Sequence, residues 1–206
     1  MEDQFRYKTL SNSATGDFRD RGSKFLAYAY PVRNSNEVKE IVQRLKKEHP
    51  KAVHHCFAYR LGTDGTSFRA NDDGEPSGSA GRPILGQIDS AGLTNVLVVV
   101  VRYFGGTLLG VPGLINAYKT ATAEALKNAP VEERWIEEMV EFSFDYPVMG
   151  EVMHLLRQSE ATIYQQDLQL FCRVVAGIPV KHVNAYLEKL CELRSVQVKR
   201  GAALQG

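Results

Sequence analysis

The sequence has few cysteines, little net charge and no long apolar run. Its three cysteines, Cys56, Cys172 and Cys191, are far apart and odd in number, which excludes a framework of paired disulfides and favours free thiols in a reducing compartment. The longest apolar run, residues 96–101, is far shorter than the roughly 20 residues that a membrane-spanning helix needs. The formal net charge of +1 gives no bulk attraction to nucleic acid. We therefore expect neither a membrane protein nor a disulfide-stabilised one.

The first ten residues, MEDQFRYKTL, lack the cationic start and apolar core of a secretory signal. Together with the free thiols, this predicts a cytoplasmic location. The 206 residues are 44% apolar and 24% charged, which is the composition of an ordinary globular protein. That length allows one large domain or two small ones.

Hydrophobic periodicity divides the chain into two different α+β units. In the first unit, alternating or continuously apolar runs predict strands, and apolar stripes at helical spacing predict helices, the first of them capped by Asn34 to Asn36. The predicted strands are residues 5–10, 24–32, 54–62, 67–70 and 95–103, and the predicted helices are residues 34–49, 82–92 and 113–128. The stretch 129–140, which contains Pro130 and several glutamates, is predicted to be a hinge.

The second unit starts a new pattern of strands and helices. The predicted order is strand 140–146, helix 148–159, strands 161–168 and 168–177, helix 179–191 and strand 194–200. The order βαββαβ is typical of the ferredoxin-like layout, in which two helices cover one antiparallel sheet. The predicted fold class is therefore α+β with two domains, residues 1–133 and residues 138–206.

Two glycine-rich loops each lead into a predicted helix. The first, ANDDGEPSGSAGRPIL at residues 70–85, is acidic, and the second, RYFGGTLLG, spans residues 102–110. Exposed backbone N–H groups beside a positive helix end favour an anion site, and Arg82 and Arg102 lie next to these loops. Glycines that serve turns with positive φ are the competing interpretation. Neither loop is a phosphate loop of the nucleotide-hydrolase type, because Val111 and Pro112 stand where a lysine and a hydroxyl residue are required.

The acids of the first loop have two interpretations. Carboxylates are the usual ligands of hard cations, but the spacing fits no EF-hand that starts at Asp64 or Asn71. We favour carboxylates that cap helix N–H groups and fix the loop. His54, His55 and Cys56 lie on one predicted strand, where neighbours point to opposite faces, and no second ligand pair has suitable spacing. We therefore expect one histidine to pack inward and predict neither a metal site nor a cofactor.

The N-terminal arm mixes cations with aromatic residues, a combination that single-stranded nucleic acids favour. Its members are Arg6, Lys8, Arg19, Arg21 and Lys24 with Phe5, Tyr7, Phe18 and Phe25, diluted by Glu2, Asp3, Asp17 and Asp20. Up to Met139 the chain carries 18 basic and 17 acidic residues, and the remainder carries 7 of each. Because neither unit is basic, tight non-specific binding driven by counterion release is not expected.

Two long motifs in order carry a family resemblance. The segments DDGEPSGSAGRPIL and VVVVRYFGGTLLGVPGLINAY resemble the paired signature of the IMPACT family in its YigZ-like bacterial form, and KFLAYAYPV and AVHHCFAYRLG match two further strands of that family. The resemblance covers residues 18–128. It implies a UPF0029-type N-terminal domain with a ribosomal-protein-like βαβ fold and a role in translation control, which eukaryotic members exert by protein contact. The second half is similar to the ferredoxin-like C-terminal domain of bacterial members, which resembles a domain of elongation factor G.

The chain departs from the family pattern beside the second loop. Leu108 stands where the family usually has a lysine, Asn116 where it has an arginine, and Pro112 where glycine is common, whereas Ser79 replaces a threonine and keeps the hydroxyl. The loss of two cations removes charge-assisted contacts that would hold a phosphate. This departure weakens the RNA interpretation for this chain.

We expect the two loops to meet at one end of the first domain's sheet and to form a shared polar groove. The predicted ligand-binding residues are Asp72, Asp73, Glu75, Ser77, Ser79, Arg82, Arg102, Gly105, Gly106 and Gly110. Asp73 and Glu75 would orient Arg102 or cap N–H groups. The two serines would contact the ligand, and the glycines would let it approach the backbone. The groove would take a partner or a small anionic ligand.

The predicted function is a cytosolic, non-catalytic binding factor in translation control, with the ribosome, an RNA or a translation protein as partner. The alternative is a hydrolase or phosphotransfer enzyme that uses the Asp72, Asp73, Glu75 and Ser77 cluster as acid, base and anion hole. Against it, GEPSG and GSAG both miss the G-x-S-x-G nucleophile elbow. A third interpretation makes the second domain a regulatory or dimerisation unit.

Overall fold

The computed structural model describes residues 5–201, which divide into two compact units. Tyr7–Arg134 forms the first, and the residues from Trp135 onward, with those before Tyr7, form the second. Apart from Arg6 and Trp135, which belong to the second unit, the first unit contains β1 (Arg6–Leu10), β2 (Ala14–Asp20), β3 (Ser23–Pro31), α1 (Ser35–Glu48), β4 (His54–Leu61), β5 (Ser67–Asn71), α2 (Gly81–Ser90), β6 (Val96–Tyr103), α3 (Gly110–Asn128) and β7 (Val131–Trp135).

A five-stranded sheet with strand order β2-β3-β6-β4-β5 organises the first unit, and β1 and β7 form a separate two-stranded sheet. Both β3 and β4 run antiparallel to β6, which lies between them. They are therefore parallel to each other, and α1 connects them as a βαβ crossover. The apolar run of β6 lies in the centre of the sheet, and each of the first seven residues of this strand is therefore buried.

Helices cover both faces of this sheet. Alternate residues of β6, such as Val98 and Val100, pack in the core that contains side chains of α2 and α3. Leu97 and Val99 point to the other face, into the core that Val38 and Leu45 of α1 complete. Asn34 caps α1 as predicted, because its side-chain oxygen accepts the backbone N–H groups of residues 36 and 37 at 3.0 Å.

The second unit contains β8 (Glu137–Asp145), α4 (Met149–Gln158), β9 (Thr162–Leu168), β10 (Phe171–Pro179), α5 (Val183–Glu192) and β11 (Gln197–Arg200), with a 3₁₀ turn at Tyr146–Val148. Its sheet has the order β11-β8-β10-β9, and all three pairings are antiparallel. A separate apolar core holds α4 and α5 against this sheet. The predicted α+β fold class, with a βαβ-type unit and a ferredoxin-like unit, is confirmed.

Two segments form strands that the sequence did not predict. Strand β2 lies in the N-terminal arm, and β7 lies in the predicted hinge. Glycine and acidic residues lower the strand propensity of β2, but Gly16 lets this strand approach α3, because a Cβ there would overlap the backbone of Ala125. The acids Glu2 and Asp3 lie outside the described residues. Across residues 5–201, no helix is long and apolar enough to span a membrane.

Candidate functional site

Asp72 organises the acidic loop by capping α2 from outside the helix. Its Oδ1 accepts the backbone N–H groups of Ala80 at 3.0 Å and Gly81 at 2.8 Å, and its Oδ2 accepts that of Gly78 at 2.9 Å. Burial alone would raise the pKa of this carboxyl, but the three N–H donors outweigh it and hold the pKa below its ordinary value. The predicted capping role is confirmed for Asp72, since residue 80 itself offers no side-chain cap.

Asp73 fastens the loop to the sheet and to α1. Its Oδ2 accepts the backbone N–H of His55 at 2.7 Å, and its Oδ1 accepts the ammonium of Lys46 at 2.9 Å. The residue adopts a φ of +42°, which is an uncommon backbone conformation for a side chain other than glycine. Both carboxylate oxygens are therefore used within the fold.

Glu75 is the centre of a buried polar network. Its Oε1 accepts hydrogen bonds from the guanidinium of Arg102 at 2.6 Å and from the hydroxyl of Tyr118 at 2.7 Å. The side chains of Glu75 and Arg102 are only 3% and 6% exposed. The sulfur of Cys56 lies 3.0 Å from the carbonyl oxygen of Asp72 and 3.3 Å from the Tyr118 hydroxyl. This network links the acidic loop, β4, β6 and α3.

Burial governs protonation in this network. It raises the pKa of the Tyr118 hydroxyl, and the neighbouring Cys56 and Glu75 add to the effect. Burial also raises the pKa of the Cys56 thiol. Both groups are thus neutral at physiological pH and serve as hydrogen-bonding groups. Neither forms the anion that a nucleophile requires.

A cleft of about 410 Å³ opens above this network. Its walls are mainly apolar, and its floor contains three polar side chains, those of His54, Glu75 and Arg102. The remaining lining residues are Val53, Pro76, Phe104, Leu108, Leu109, Gly110, Val111 and Leu114. Several of the apolar ones face solvent, with Leu108 81% and Phe104 48% exposed. The volume lies within the range of about 300–1,000 Å³ that is usual for ligand pockets.

The structure thus brings one part of each predicted loop to a common cleft. Glu75 from the first loop and Arg102 and Gly110 from the second line it. Ser79 is buried and its hydroxyl donates to the carbonyl of Pro76 at 2.7 Å. The other predicted residues are absent from the lining: Asp72, Asp73, Ser77, Ser79, Arg82, Gly105 and Gly106.

The glycines of the second loop serve the backbone. A Cβ at Gly105 would overlap the backbone of Gly22 and Ser23 in the turn between β2 and β3, and the Gly105 N–H donates to the Ser23 hydroxyl at 3.1 Å. Gly106 and Gly110 have φ values of +86° and +70°, which favour glycine. Positive φ therefore accounts for Gly106 and Gly110, and the close backbone approach accounts for Gly105, without a ligand.

The arrangement offers neither an assembled serine nucleophile nor a metal cluster. Within residues 5–201, no hydrogen bond joins Ser77 or Ser79 to a carboxylate. The described part of the chain also contains no group of three or more His, Cys, Asp and Glu side chains that is placed to hold a metal ion. His55 packs inward and burial lowers its pKa, whereas His54 remains partly exposed at the cleft.

Sequence reasoning missed the apolar character of the cleft and the roles of His54 and Tyr118. The strand register places His54 directly opposite Arg102, so both side chains lie on the same face of the sheet. Tyr118 follows Leu114 by four residues and thus lies on the inward stripe of α3. These spacings were signals in the sequence, but only the pairing register connects them to Glu75.

Comparisons with known proteins agree with this architecture. Residues 21–126 match the Impact N-terminal domain. The chain is 34% identical over 187 residues to the IMPACT family member YvyE of Bacillus subtilis, covering 91% of this chain and 86% of that protein. It is 31% identical over 172 residues to the IMPACT family member YigZ of Escherichia coli, covering 82% and 84%. A crystal structure of a hypothetical protein superposes with a TM-score of 0.74 at 29% identity, over 94% of this chain and 96% of that one. The chain therefore belongs to the IMPACT family.

Proposed function

We propose that the protein is a non-catalytic binding factor in translation control and that the cleft between the acidic loop and α3 docks an apolar segment of a translation protein. The observation that carries the proposal is the ring of exposed apolar side chains around the cleft, led by Leu108 and Phe104. Exposed apolar patches beside a concave surface are typical of protein interaction sites. The translation context is supported by family membership, because the resemblance implies that role.

The charges of the cleft favour a protein over an RNA. Among the described residues that line the cleft, Arg102 is the only Lys or Arg, and its guanidinium is paired with Glu75. A nucleic acid would need unpaired cations for its phosphates. Position 108, where the family usually has a lysine, contributes a leucine to the rim. An apolar partner surface matches this lining better than a phosphate backbone.

The enzyme alternative receives less support from the geometry. Both carboxylate oxygens of Asp72 and of Asp73 are occupied by donors of the fold. Catalysis by this cluster would require a carboxylate within reach of a nucleophile inside a closed pocket. Ser77 is exposed and does not line the cleft.

The test is affinity capture of the tagged full chain from lysate at low and moderate salt, with and without nuclease, followed by identification of bound proteins and RNA. We expect translation proteins to be retained after nuclease treatment and to be lost with Phe104→Ser or Leu108→Ser. Phe68→Ser is the matched control, because Phe68 is 57% exposed but lies on β5 outside the cleft lining. Nuclease-sensitive capture that is unaffected by the cleft variants would contradict the proposal.

A further inference from the structure

The second unit exposes a group of large apolar side chains at one end of its sheet. Leu170 and Phe171, at the turn between β9 and β10, are 77% and 75% exposed, and Tyr146, which follows β8, is 52% exposed. The fold brings them together, because the backbone N–H of Tyr146 donates to the carbonyl of Leu170 at 3.3 Å and Phe171 lies directly opposite Asp145 in the sheet. We call these three side chains the apolar tip. Single exposed apolar residues are common, but a contiguous group is typical of an interaction surface.

The charged residues beside the apolar tip are mainly acidic. Segments 143–149 and 165–172, which contain the tip, carry Asp145 and Asp167 and no Lys or Arg. Asp145 is the cross-strand neighbour of Phe171, so the two side chains lie on the same face of the sheet. Arg173, two residues after Phe171 in β10, lies opposite Asp167 in the register, but its guanidinium donates to Glu141 at 2.8 Å. With three acids and one cation among these residues, the border of the tip is acidic.

This border discriminates among the surfaces that would cover the apolar tip. A second copy of the chain, docked tip to tip about a two-fold axis, would bring the Asp145 and Asp167 side chains of both copies together, and such like charges repel. RNA and an anionic membrane would both set phosphates against the same carboxylates. A polypeptide with basic residues would be attracted by them. The charges therefore favour a basic protein segment over self-association, RNA or lipid.

We propose that the apolar tip of the second unit docks a basic polypeptide segment, one that presents an apolar side chain flanked by Lys or Arg. The apolar side chain would pack on Leu170 and Phe171 and release water from their exposed surfaces. The flanking cations would lie beside Asp145 and Asp167 and would select against acidic partners. The tip belongs to a different unit from the cleft, so this inference does not depend on the proposed function and gives the second unit a binding role of its own.

The experiment is a ¹H–¹⁵N NMR titration of the full chain with three peptides of equal length. The first, acetyl-KLKFKLK-amide, is basic and apolar; acetyl-ELEFELE-amide reverses its charge; and acetyl-KSKSKSK-amide keeps the charge without the apolar side chains. We expect the first peptide to shift the amide signals of Tyr146, Gln169 and Leu170 and to bind at least about 10-fold more tightly than the other two. Its affinity should fall when the salt concentration rises from about 0.05 M to about 0.3 M, because salt screens exposed charges.

Two double variants separate the apolar contribution from the charges. Leu170→Ser/Phe171→Ser should weaken binding of the first peptide by about 10-fold or more, since the apolar surface to be buried is lost. Asp145→Asn/Asp167→Asn should weaken binding and remove most of its salt dependence. The matched control is Phe68→Ser, because Phe68 is also exposed but lies on β5 of the first unit. It should leave the affinity unchanged.

Four results would overturn the inference. They are equal binding of the charge-reversed peptide, shifts confined to the cleft signals of Gly110 and Val111, no shift with any peptide, and a concentration-dependent dimer in sedimentation equilibrium that Phe171→Ser abolishes. The last result would assign the apolar tip to self-association. None of the four bears on docking at the cleft, which the capture experiment tests with variants of the first unit.

Discussion

The buried ion pair between Glu75 and Arg102 gives the sharpest prediction about stability. The two side chains are 3% and 6% exposed and lie 2.6 Å apart. Arg102→Met removes one charge and leaves the other buried without compensation, so we expect the first unit to lose about 3–5 kcal/mol of unfolding free energy. In the double variant Glu75→Leu/Arg102→Met no charge remains, and the main residual cost is the hydroxyl of Tyr118, about 1–3 kcal/mol. The double variant should therefore be more stable than Arg102→Met alone.

The assay is urea unfolding of the full chain, followed by far-UV circular dichroism. The only tryptophan, Trp135, is the last residue of β7, at the boundary between the two units. Its fluorescence gives a second probe of unfolding. A matched surface control is Asp89→Asn, which weakens an ion pair with Arg60 at 2.7 Å in which Asp89 is 43% exposed. It should cost less than about 1 kcal/mol. If Arg102→Met costs no more than this control, or if the double variant is less stable than Arg102→Met, the reasoning about the network is refuted.

Three further predictions test other parts of the site. Gly105→Ala forces a Cβ into the backbone of Gly22 and Ser23 and should destabilise the first unit by about 1–3 kcal/mol. The control Gly86→Ala in α2, where the added Cβ meets open space, should stabilise it by about 0.5–1 kcal/mol. Urea midpoints measure both variants, and equal effects would contradict the packing role of Gly105. The lowered pKa of Asp72 contributes stability that is present above the ordinary carboxyl pKa and lost as pH falls through the folded-state pKa. The difference in unfolding free energy between wild type and Asp72→Asn should therefore shrink from pH 7 to pH 3. A constant difference would refute the capping account. Leu108→Lys restores the family's usual cation beside the cleft; it should weaken capture of proteins at least as much as Leu108→Ser, measured by quantitative mass spectrometry, and unchanged capture would argue against docking at this position.

Much of the fold could be predicted from the sequence because the strongest local signals agree with the tertiary structure. The continuous apolar run of β6 indicated a central strand, and the stripe of α1 with its Asn34 cap indicated a helix of almost the observed length. Strand β2 was missed because Gly16 fits a close approach to α3, and such a tertiary cause leaves no local periodicity. Strand β7 was missed because Pro130 and the glutamates have the composition of a hinge.

The site could be predicted only in part. The motifs indicated that Glu75 and Arg102 belong together, and the structure pairs them. Helix capping by an acid of the loop was predicted and is observed for Asp72. The bonds of Asp73 to Lys46 and to the backbone N–H of His55 were not predicted, since they depend on where the loop lies against α1 and β4. The apolar cleft was missed because its walls come from segments that are distant in the chain, such as Val53 and Leu114.

The most direct test of the central claim is site-specific photocrosslinking in cells with p-benzoylphenylalanine in place of Leu108, compared with the same residue in place of Phe68. Both positions are exposed, at 81% and 57%, but only the first lines the cleft. The docking account predicts that position 108 gives a crosslink to a translation protein and that position 68 does not. An RNA adduct at position 108, or the same products from both positions, would contradict the account.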